Sequence, residues 1–317
     1  MNTVSFIIPV KQGGYAAAVD HLKKTVSDDI RCEILLVEGS APSQQRNRAA
    51  DEASGDILYF LDDDSLITSE NLAHCAAGMS DPAVAVVGGP SLTPADDNRL
   101  QQLFGSALAS AFGSGAVNNR YRAHGEIRET TDKELILCNL AVRRSVFLAL
   151  GGFNECLYPN EENEFLERVT KAGCKLLHDP GMSVFRSQRK TLKAFVRQMF
   201  SYGRGRGQQT LITSSFSVTA FIPLFFAVYL LISLIFIKYL FLLAPTVLYI
   251  LAALASAFLM MVRTGRWFAL FLTGIYPLMH IVNGSGLLWG LINGKPEPAE
   301  DSSIRIRRIK SLGESFH

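Results

Sequence analysis

The sequence predicts an α/β domain built on a mostly parallel sheet and followed by an α-helical transmembrane region. Three observations carry this reading. Short apolar runs alternate with polar, Ala-rich segments; one of those runs ends in Asp62-Asp63-Asp64; and three long uncharged stretches follow Arg206. Charge is nearly balanced over the chain, with 31 Lys and Arg against 29 Asp and Glu, but it is unevenly spread. Residues 1–206 hold 23 and 25, whereas residues 207–317 hold eight and four, so only the first part has the composition of an ordinary water-exposed domain.

Val4–Val10, Glu33–Val37, Ile57–Leu61 and Val84–Val87 read as strands that are apolar on both faces. Helices are expected between them, around Ala16–Ser27, Ser43–Ala53 and Ser69–Met79. This alternation packs helices on both sides of a parallel sheet, and in such sheets ligands bind beyond the carboxyl ends of the strands. Those ends carry Pro9-Val10 before a Gly13-Gly14 turn, Glu38-Gly39-Ser40, and the three aspartates, so acidic groups from neighbouring strands converge on one crevice. Adjacent like charges repel. The triplet reads either as a solvated acidic turn or as the seat of a divalent cation carrying a phosphorylated substrate, because hard cations take oxygen ligands. Neither a GxGxxG fingerprint nor a P-loop pattern occurs.

The uncharged runs are Gly207–Ile237, Tyr239–Val262 and Trp267–Gly294. Each reaches the roughly 20 apolar residues that cross a bilayer. From Arg186 to Arg206 there are seven Lys or Arg and no acid, which by the positive-inside rule sets the first domain in the cytoplasm. Met1–Val10 lacks the basic start and cleavage site of a signal peptide, in keeping with that side. Leu192, Phe195, Met199 and Tyr202 recur at helical spacing among basic residues, predicting an amphipathic interface helix. Three full crossings export the C-terminus, yet Arg305, Arg307, Arg308 and Lys310 favour the cytoplasm for the tail. The third run contains Pro277, His280 and Asn283-Gly-Ser-Gly286, so a broken or re-entrant segment is the alternative. The expected divisions are 1–189 for the α/β domain, 190–212 for the interface helix and junction, 213–294 for the membrane helices and 295–317 for a basic tail. Cys32, Cys75, Cys138, Cys156 and Cys174 show no CxxC pairing and read as reduced thiols.

In order and spacing, Phe6-Ile-Ile-Pro-Val10, Glu38-Gly-Ser40, Arg46-Asn47 and Phe60-Leu-Asp-Asp-Asp64 resemble a family 2 glycosyltransferase of the Rossmann-like GT-A fold. The pattern continues through Cys138-Asn-Leu-Ala-Val-Arg-Arg144, Leu150-Gly-Gly-Phe-Asn-Glu155 and Glu161-Glu-Asn-Glu-Phe165 with Arg168, and covers about the first 206 residues. The resemblance implies that Pro9, Val10 and Glu38 border the nucleotide base, with Ser40 and Arg46 nearby. It implies that Asp62 faces the donor ribose, that Asp64 with Asp62 holds Mg²⁺ or Mn²⁺ against the diphosphate, and that Asp63 is their neighbour.

A general base must take the acceptor hydroxyl's proton. The resemblance assigns this to Glu162, where the family usually has Asp, with Glu161 as the acid before it; the alternative for both is a helix start favoured by the dipole and capped by Asn160. Arg186 stands where many relatives have a metal-binding His, so it is expected to hold pyrophosphate or to face lipid phosphates. Gly151-Gly152 and Asn139 are weaker candidates for the substrate side. Their alternative is a plain helix stop. Gly113 to about Thr131 reads as a substrate-ordered loop or a linker, and His178 as a packed or capping residue. Gln198 lies in a junction similar to that of membrane-attached relatives, without the QxxRW of processive synthases.

Taken together, the resemblance implies an inverting, metal-dependent glycosyltransferase. It would move a sugar from a nucleotide-sugar donor, a UDP-sugar being favoured, to a membrane-held polyprenyl-linked saccharide in envelope or exopolysaccharide synthesis. The expected location is the inner membrane, multi-pass, with the catalytic domain facing the cytoplasm. Expected partners are membrane lipids and other envelope-assembly proteins, with no nucleic acid. Two rival readings stay open: a polyprenyl-phosphate monosaccharide synthase, and a non-catalytic nucleotide-sugar-binding scaffold.

Overall fold

A computed structural model describes residues 3–27, 30–297 and 303–315. In chain order the elements are β1 (Val4–Val10), α1 (Ala17–Thr25), β2 (Cys32–Glu38), α2 (Pro42–Glu52), β3 (Ile57–Leu61), β4 (Leu66–Ile67), α3 (Asn71–Gly78), β5 (Val84–Gly88) and β6 (Ser91–Leu92). There follow α4 (Arg99–Ala109), α5 (Ala111–Ser114), β7 (Arg128–Glu129), β8 (Asn139–Arg143), α6 (Arg144–Ala149), α7 (Glu161–Lys171), β9 (Lys175–His178) and β10 (Val184–Phe185). The chain ends with α8 (Leu192–Thr213), α9 (Val218–Ile235), α10 (Ala244–Thr264), α11 (Leu272–Ile292) and β11 (Arg305–Lys310).

These elements form two compact units, one of 1–92, 119–186 and 297–317 and the other of 93–118 and 187–296. The first unit's middle segment ends at Arg186, and the sequence reading divides the chain after residue 189. Two segments change sides relative to the sequence reading: α4 and α5 join the apolar helices, and the basic tail joins the sheet.

The first unit is an α/β domain around an eight-stranded sheet of order β11-β2-β1-β3-β8-β5-β9-β7. Parallel pairing holds for β2-β1-β3 and for β5-β9, while β8 runs antiparallel between β3 and β5, and the edge strands β11 and β7 are also antiparallel. The mostly parallel sheet expected from sequence is thus mixed. The long excursion before β8 lets that strand enter from the opposite end, which a short βαβ crossover does not permit.

Side chains of β1 alternate between two cores. Phe6 and Ile8 pack with Tyr59 and the α1 side, and Ile7 packs with Leu35, Phe60 and the side of α2, α6 and α7. In the second core Phe60, Phe147, Phe153 and Phe165 form a closed set of rings with centroids 4.9–5.4 Å apart. Each such pair adds about 0.5–1.5 kcal/mol beyond its burial, and together they fix the start of α7 against the end of β3. Asn160 sits at the head of α7 with φ +92° and makes no side-chain cap hydrogen bond, so its expected capping role is not realised.

A small sheet, β4-β10-β6, continues from the turn after β3. Val184 and Phe185 pair with Ile67 and Leu66, which brings the next residue, Arg186, beside the aspartate turn that leads into β4. At the opposite edge β11 pairs with β2, Arg305 opposite Glu38. Glu33, fully buried, accepts from Arg308, from Ser5 Oγ at 2.6 Å and from the Ser54 amide at 2.6 Å. A buried carboxylate is tolerated only with such partners.

In the second unit the interface helix expected from the Leu192, Phe195, Met199 and Tyr202 stripe runs on to Thr213 as α8, passing through Gly203, Gly205 and Gly207. Three stretches, Val218–Ile235, Leu240–Thr264 and Trp267–Ile292, are long and apolar enough to cross a membrane, with mean hydropathy 2.5, 2.2 and 1.2.

Candidate active site

The end of β3 is tied down before any ligand is considered. Gln45 Nε2 donates to the carbonyls of Val10 and Val37, Gly39 N donates to Val10 O at 3.0 Å, and Ala18 N donates to Asp63 O at 3.0 Å. The ends of β1, β2 and β3 are thereby held together where the strands' side chains stop and the polar residues begin. Pro9 and Val10 are buried there, Glu38 is half-buried and Ser40 is exposed.

A chain of ion pairs crosses this edge. Arg46, 4% exposed on α2, reaches Asp62 Oδ1 with Nη2 at 2.9 Å and Glu161 Oε1 with Nη1 at 3.1 Å. Arg186 then reaches Asp62 Oδ2 with Nη2 at 3.2 Å and Asp64 Oδ1 with Nε at 2.6 Å. Glu161, Arg46, Asp62, Arg186 and Asp64 therefore form one alternating series of charges. Two buried atoms on it, Arg46 Nε and Glu161 Oε2, have no hydrogen-bond partner. Burial pushes the Glu161 carboxyl upward, against the pull of Arg46 and with the added push of Glu162. Asp63 is also raised, by burial first and then by Asp64 and Asp62.

The carboxylates at the end of β3 supply hard oxygen donors of the kind Mg²⁺ and Mn²⁺ prefer. Asp64 is the open member, its side chain 47% exposed, whereas Asp62 is only 22% exposed and has both oxygens engaged by arginines. No three His, Cys, Asp or Glu among the described residues converge as a closed cation cage. The donor set fits a cation bound through one carboxylate and completed by water and substrate phosphate.

Glu162 turns another way from Glu161. Its Oε1 faces Arg120 Nη1 at 3.4 Å and accepts from Asn163 Nδ2 at 3.2 Å. Arg120 is 8% exposed, and its guanidinium also donates to the carbonyls of Lys133 and Asp132 and to Asn163 Oδ1. Sequence reading missed Arg120, and no periodicity marks it. The segment from Gly113 to Thr131, expected as a loop or linker, is built: it includes the end of α5, a 3-10 turn over Gly115–Arg120 and β7 at the sheet edge. Glu134 anchors it, accepting from Arg128 at 2.8 Å and Thr130 at 2.6 Å, and from Asn119.

Arg307 is the second missed residue, 3.1 Å from Glu38. Its signal was present in the alternation of Ile304-Arg-Ile306-Arg, a strand pattern.

Two expected substrate contacts are corrected. Asn139 is fully buried, accepts from Tyr59 OH at 2.7 Å and donates to Met182 O at 2.5 Å, so both ends of its amide are used within the core. Gly152 has φ +69° and a Cβ there would strike the Asn47 amide, which binds the Phe153 backbone at 2.8 and 2.9 Å. Glycine is required at this turn by the backbone and by Asn47. Gln198 lies on α8 in the second unit, where its Nε2 donates to Tyr202 OH at 2.8 Å. His178 is fully buried, with Nε2 3.2 Å from Asn119 O, as a packed residue would be.

An acidic crevice lies at the carboxyl ends of β1, β2 and β3, where open α/β sheets bind ligands, with a carboxylate-rich helix start across it. A sequence model described as Glycosyl transferase family group 2 matches residues 57–292, and the chain belongs to that family. A curated relative, the O-antigen chain rhamnosyltransferase WbaN of Salmonella anatum, is 30% identical over 162 residues, 50% of each chain. A pre-mycofactocin glycosyltransferase of Mycobacterium tuberculosis is 23% identical over 183 residues, 56% of this chain and 38% of that one. The match thus spans half or less of the length of these curated relatives. The fold is shared with the mannosyltransferase PcManGT of Pyrobaculum calidifontis, solved with GDP-Man and Mn²⁺, at TM-score 0.55 and 16% identity over 92% of this chain and 88% of that one.

Proposed function

We propose that this protein is an inverting glycosyltransferase that moves a sugar from a nucleotide-sugar donor to a membrane-held, polyprenyl-linked saccharide in envelope or exopolysaccharide synthesis. The observation that carries the proposal is the charge series through Asp62 and Asp64 at the end of β3, facing the Glu161-Glu162 start of α7 in a chain of this family. A rhamnosyltransferase of O-antigen chains among its relatives supports an envelope glycan as the product, and three apolar stretches support a membrane-held acceptor. The seven basic residues ahead of α9 favour a cytoplasmic catalytic domain in the inner membrane.

In this reading Pro9, Val10 and Glu38 border the base, Ser40 and Asp62 lie toward the ribose, and Asp64 holds Mg²⁺ or Mn²⁺. The cation, when bound, neutralises charge developing on the leaving nucleoside diphosphate. Arg186 shares that task through its fixed charge and, with Arg46, holds the Asp62 and Asp64 side chains in place. Glu162 accepts the proton of the acceptor hydroxyl as the new bond forms. Arg120 and Asn163 aim its carboxylate, and the buried Glu161 lies behind it as a partner of Arg46.

Purified protein in detergent, incubated with a panel of nucleotide sugars with and without Mn²⁺ or Mg²⁺, tests this by donor hydrolysis and by thermal shift. The expected result is a response to one donor class that depends on Asp64. Silence toward every donor, with or without metal, would leave a scaffold in place of an enzyme.

A further inference from the structure

A sheet cannot be divided by a bilayer. Strand β11 pairs with β2 in the sheet that also contains β1 and β3, so the chain leaves this unit at Arg186 and returns to it after Pro296 on one side of any membrane it enters. The number of crossings between those points is even, yet three stretches qualify as spans. At least one of them does not cross.

The contacts of the second unit identify which. Helices α4 and α5 lie within residues 93–118, an excursion whose flanking residues Leu92 and Asn119 both belong to the first unit. With 11 residues, α4 is only about 16 Å long, half of a hydrocarbon core of about 30 Å, and it carries Arg99, Gln101 and Gln102. It therefore stays on the side it came from. Arg266, just ahead of α11, donates to Gln102 Oε1 of α4, which fixes the start of α11 on that same side. The far end of α11 leads to β11, again on that side.

Helix α8 gives an independent reason. It carries Lys193, Arg197, Arg204 and Arg206, too many cations for a span. Nevertheless α11 runs alongside it at backbone contact: Gly203 abuts Asn283, Gly207 abuts Leu287 and Gly290, Gly286 abuts Phe200, and Gly290 abuts Arg204. Four glycines lie at the α8–α11 contact against one, Gly284, at Pro223 of α9, so most of the close packing of α11 is with α8. The sequence of α11 agrees, with Pro277, His280, Asn283 and Ser285 and the lowest mean hydropathy of the three stretches, 1.2.

We infer that α8 and α11 form a surface-lying pair at the membrane face nearest the sheet's own side, and that α9 and α10 alone cross, as a hairpin. The partner of the α8–α11 surface is the lipid headgroup layer. A groove of about 390 Å³ between the two helices is lined by Lys193, Val196, Arg197, Phe200, Val282 and Ser285. Two cations over an apolar floor match lipid phosphates above acyl chains. Charge agrees with the hairpin as well: the link between α9 and α10 carries Lys238 as its one charged residue, while Arg263 lies in the last turn of α10 and Arg266 just after it.

Single cysteines at three exposed positions, Lys238→Cys, Thr264→Cys and Lys295→Cys, test this in the full-length protein in cells. Each is treated with a membrane-impermeant maleimide before and after lysis, and the unsubstituted chain supplies the background from native cysteines. The inference expects Lys238→Cys to label in intact cells as fully as after lysis, and Thr264→Cys and Lys295→Cys to label only after lysis. Labelling of Thr264→Cys in intact cells would make α11 a crossing helix and overturn the inference. Protection of Lys238→Cys until lysis would overturn it equally, because α9 and α10 would then not cross. Neither outcome depends on glycosyl transfer, and protease cleavage at the α11–β11 link, expected only after lysis, reads the same topology without substitution.

Discussion

Arg186 Nε lies 2.6 Å from Asp64 Oδ1, at the carboxylate best placed to hold a cation. The same guanidinium reaches Asp62, so one fixed positive charge compensates two acids that would otherwise repel. Its charge does not depend on metal supply, since arginine stays protonated. The site is therefore organised without a cation, and the cation of the proposed mechanism would share Asp64 with it.

Removing that charge should make the aspartates a better metal site when no donor is present. Arg186→Ala is expected to bind Mn²⁺ at least about tenfold tighter, equivalent to about 1.4 kcal/mol, while its affinity for a nucleotide sugar in the presence of Mn²⁺ falls. Titration calorimetry with Mn²⁺ alone and then with donor separates the two. Unchanged Mn²⁺ affinity would show that Arg186 does not compete at Asp64.

Glu162→Gln keeps the size and the hydrogen bond to Arg120 but cannot accept a proton. Turnover should fall by about 10²–10⁴ with donor binding retained, the range for loss of a general base. Glu161→Gln, in contrast, alters a buried partner of Arg46 and should change thermal stability along with rate. Equal turnover for Glu162→Gln and the unsubstituted enzyme would remove the base from this residue.

Burial works against ionisation of Glu134, yet hydrogen bonds from Arg128, Thr130 and Asn119 hold its pKa down to about 2. A carboxyl lowered by folding contributes stability above its unfolded value, and that contribution is lost as pH falls toward the folded one. Glu134→Gln should therefore lower the melting temperature at neutral pH by about 2–4 °C, and the gap should close as pH drops from the ordinary glutamate range toward about 2. Because this anchor sets the Arg120 segment, the variant should also slow turnover more than it weakens donor binding.

Neighbouring arginines of β11 should behave differently. Arg308→Ala leaves the fully buried Glu33 carboxylate to Ser5 and the Ser54 amide and should cost about 1–3 kcal/mol, the range for a buried polar group that loses one partner. Arg307 is half exposed, so Arg307→Ala should change stability by less than about 1 kcal/mol while altering donor affinity through Glu38. Denaturant unfolding and donor titration on the two variants provide the comparison.

Strands β1 and β3 coincide with the runs marked in the sequence, and β2 and β5 extend theirs by one or two residues, because a short continuous apolar run is a local property that each segment carries by itself. The Asp62–Asp64 turn was legible for the same reason. What joins it to other residues was not. Glu161 meets Arg46 across 115 positions and Arg186 meets Asp64 across 122, distances over which pairing depends on strand order rather than on local pattern. Asn139 shows the converse: its motif context pointed outward to substrate, but the antiparallel entry of β8 turns its amide into the core. Arg120 stayed invisible because an isolated arginine in an irregular segment has no periodicity to betray its burial.

Glu38 and Arg307 are 269 positions apart, and every apolar helix of the chain lies between them. At about 5–20 residues per second a ribosome delivers β11 on the order of half a minute after β2, and during that interval the β2 edge has no neighbour on its outer side. An uncovered edge strand is a template for wrong pairing. Under the topology inferred above, final assembly of the sheet is consequently a late event in biogenesis that succeeds only when the intervening helices have been inserted with the correct parity. A misinserted chain would retain an open edge, a feature by which quality-control proteases could tell it from the finished protein.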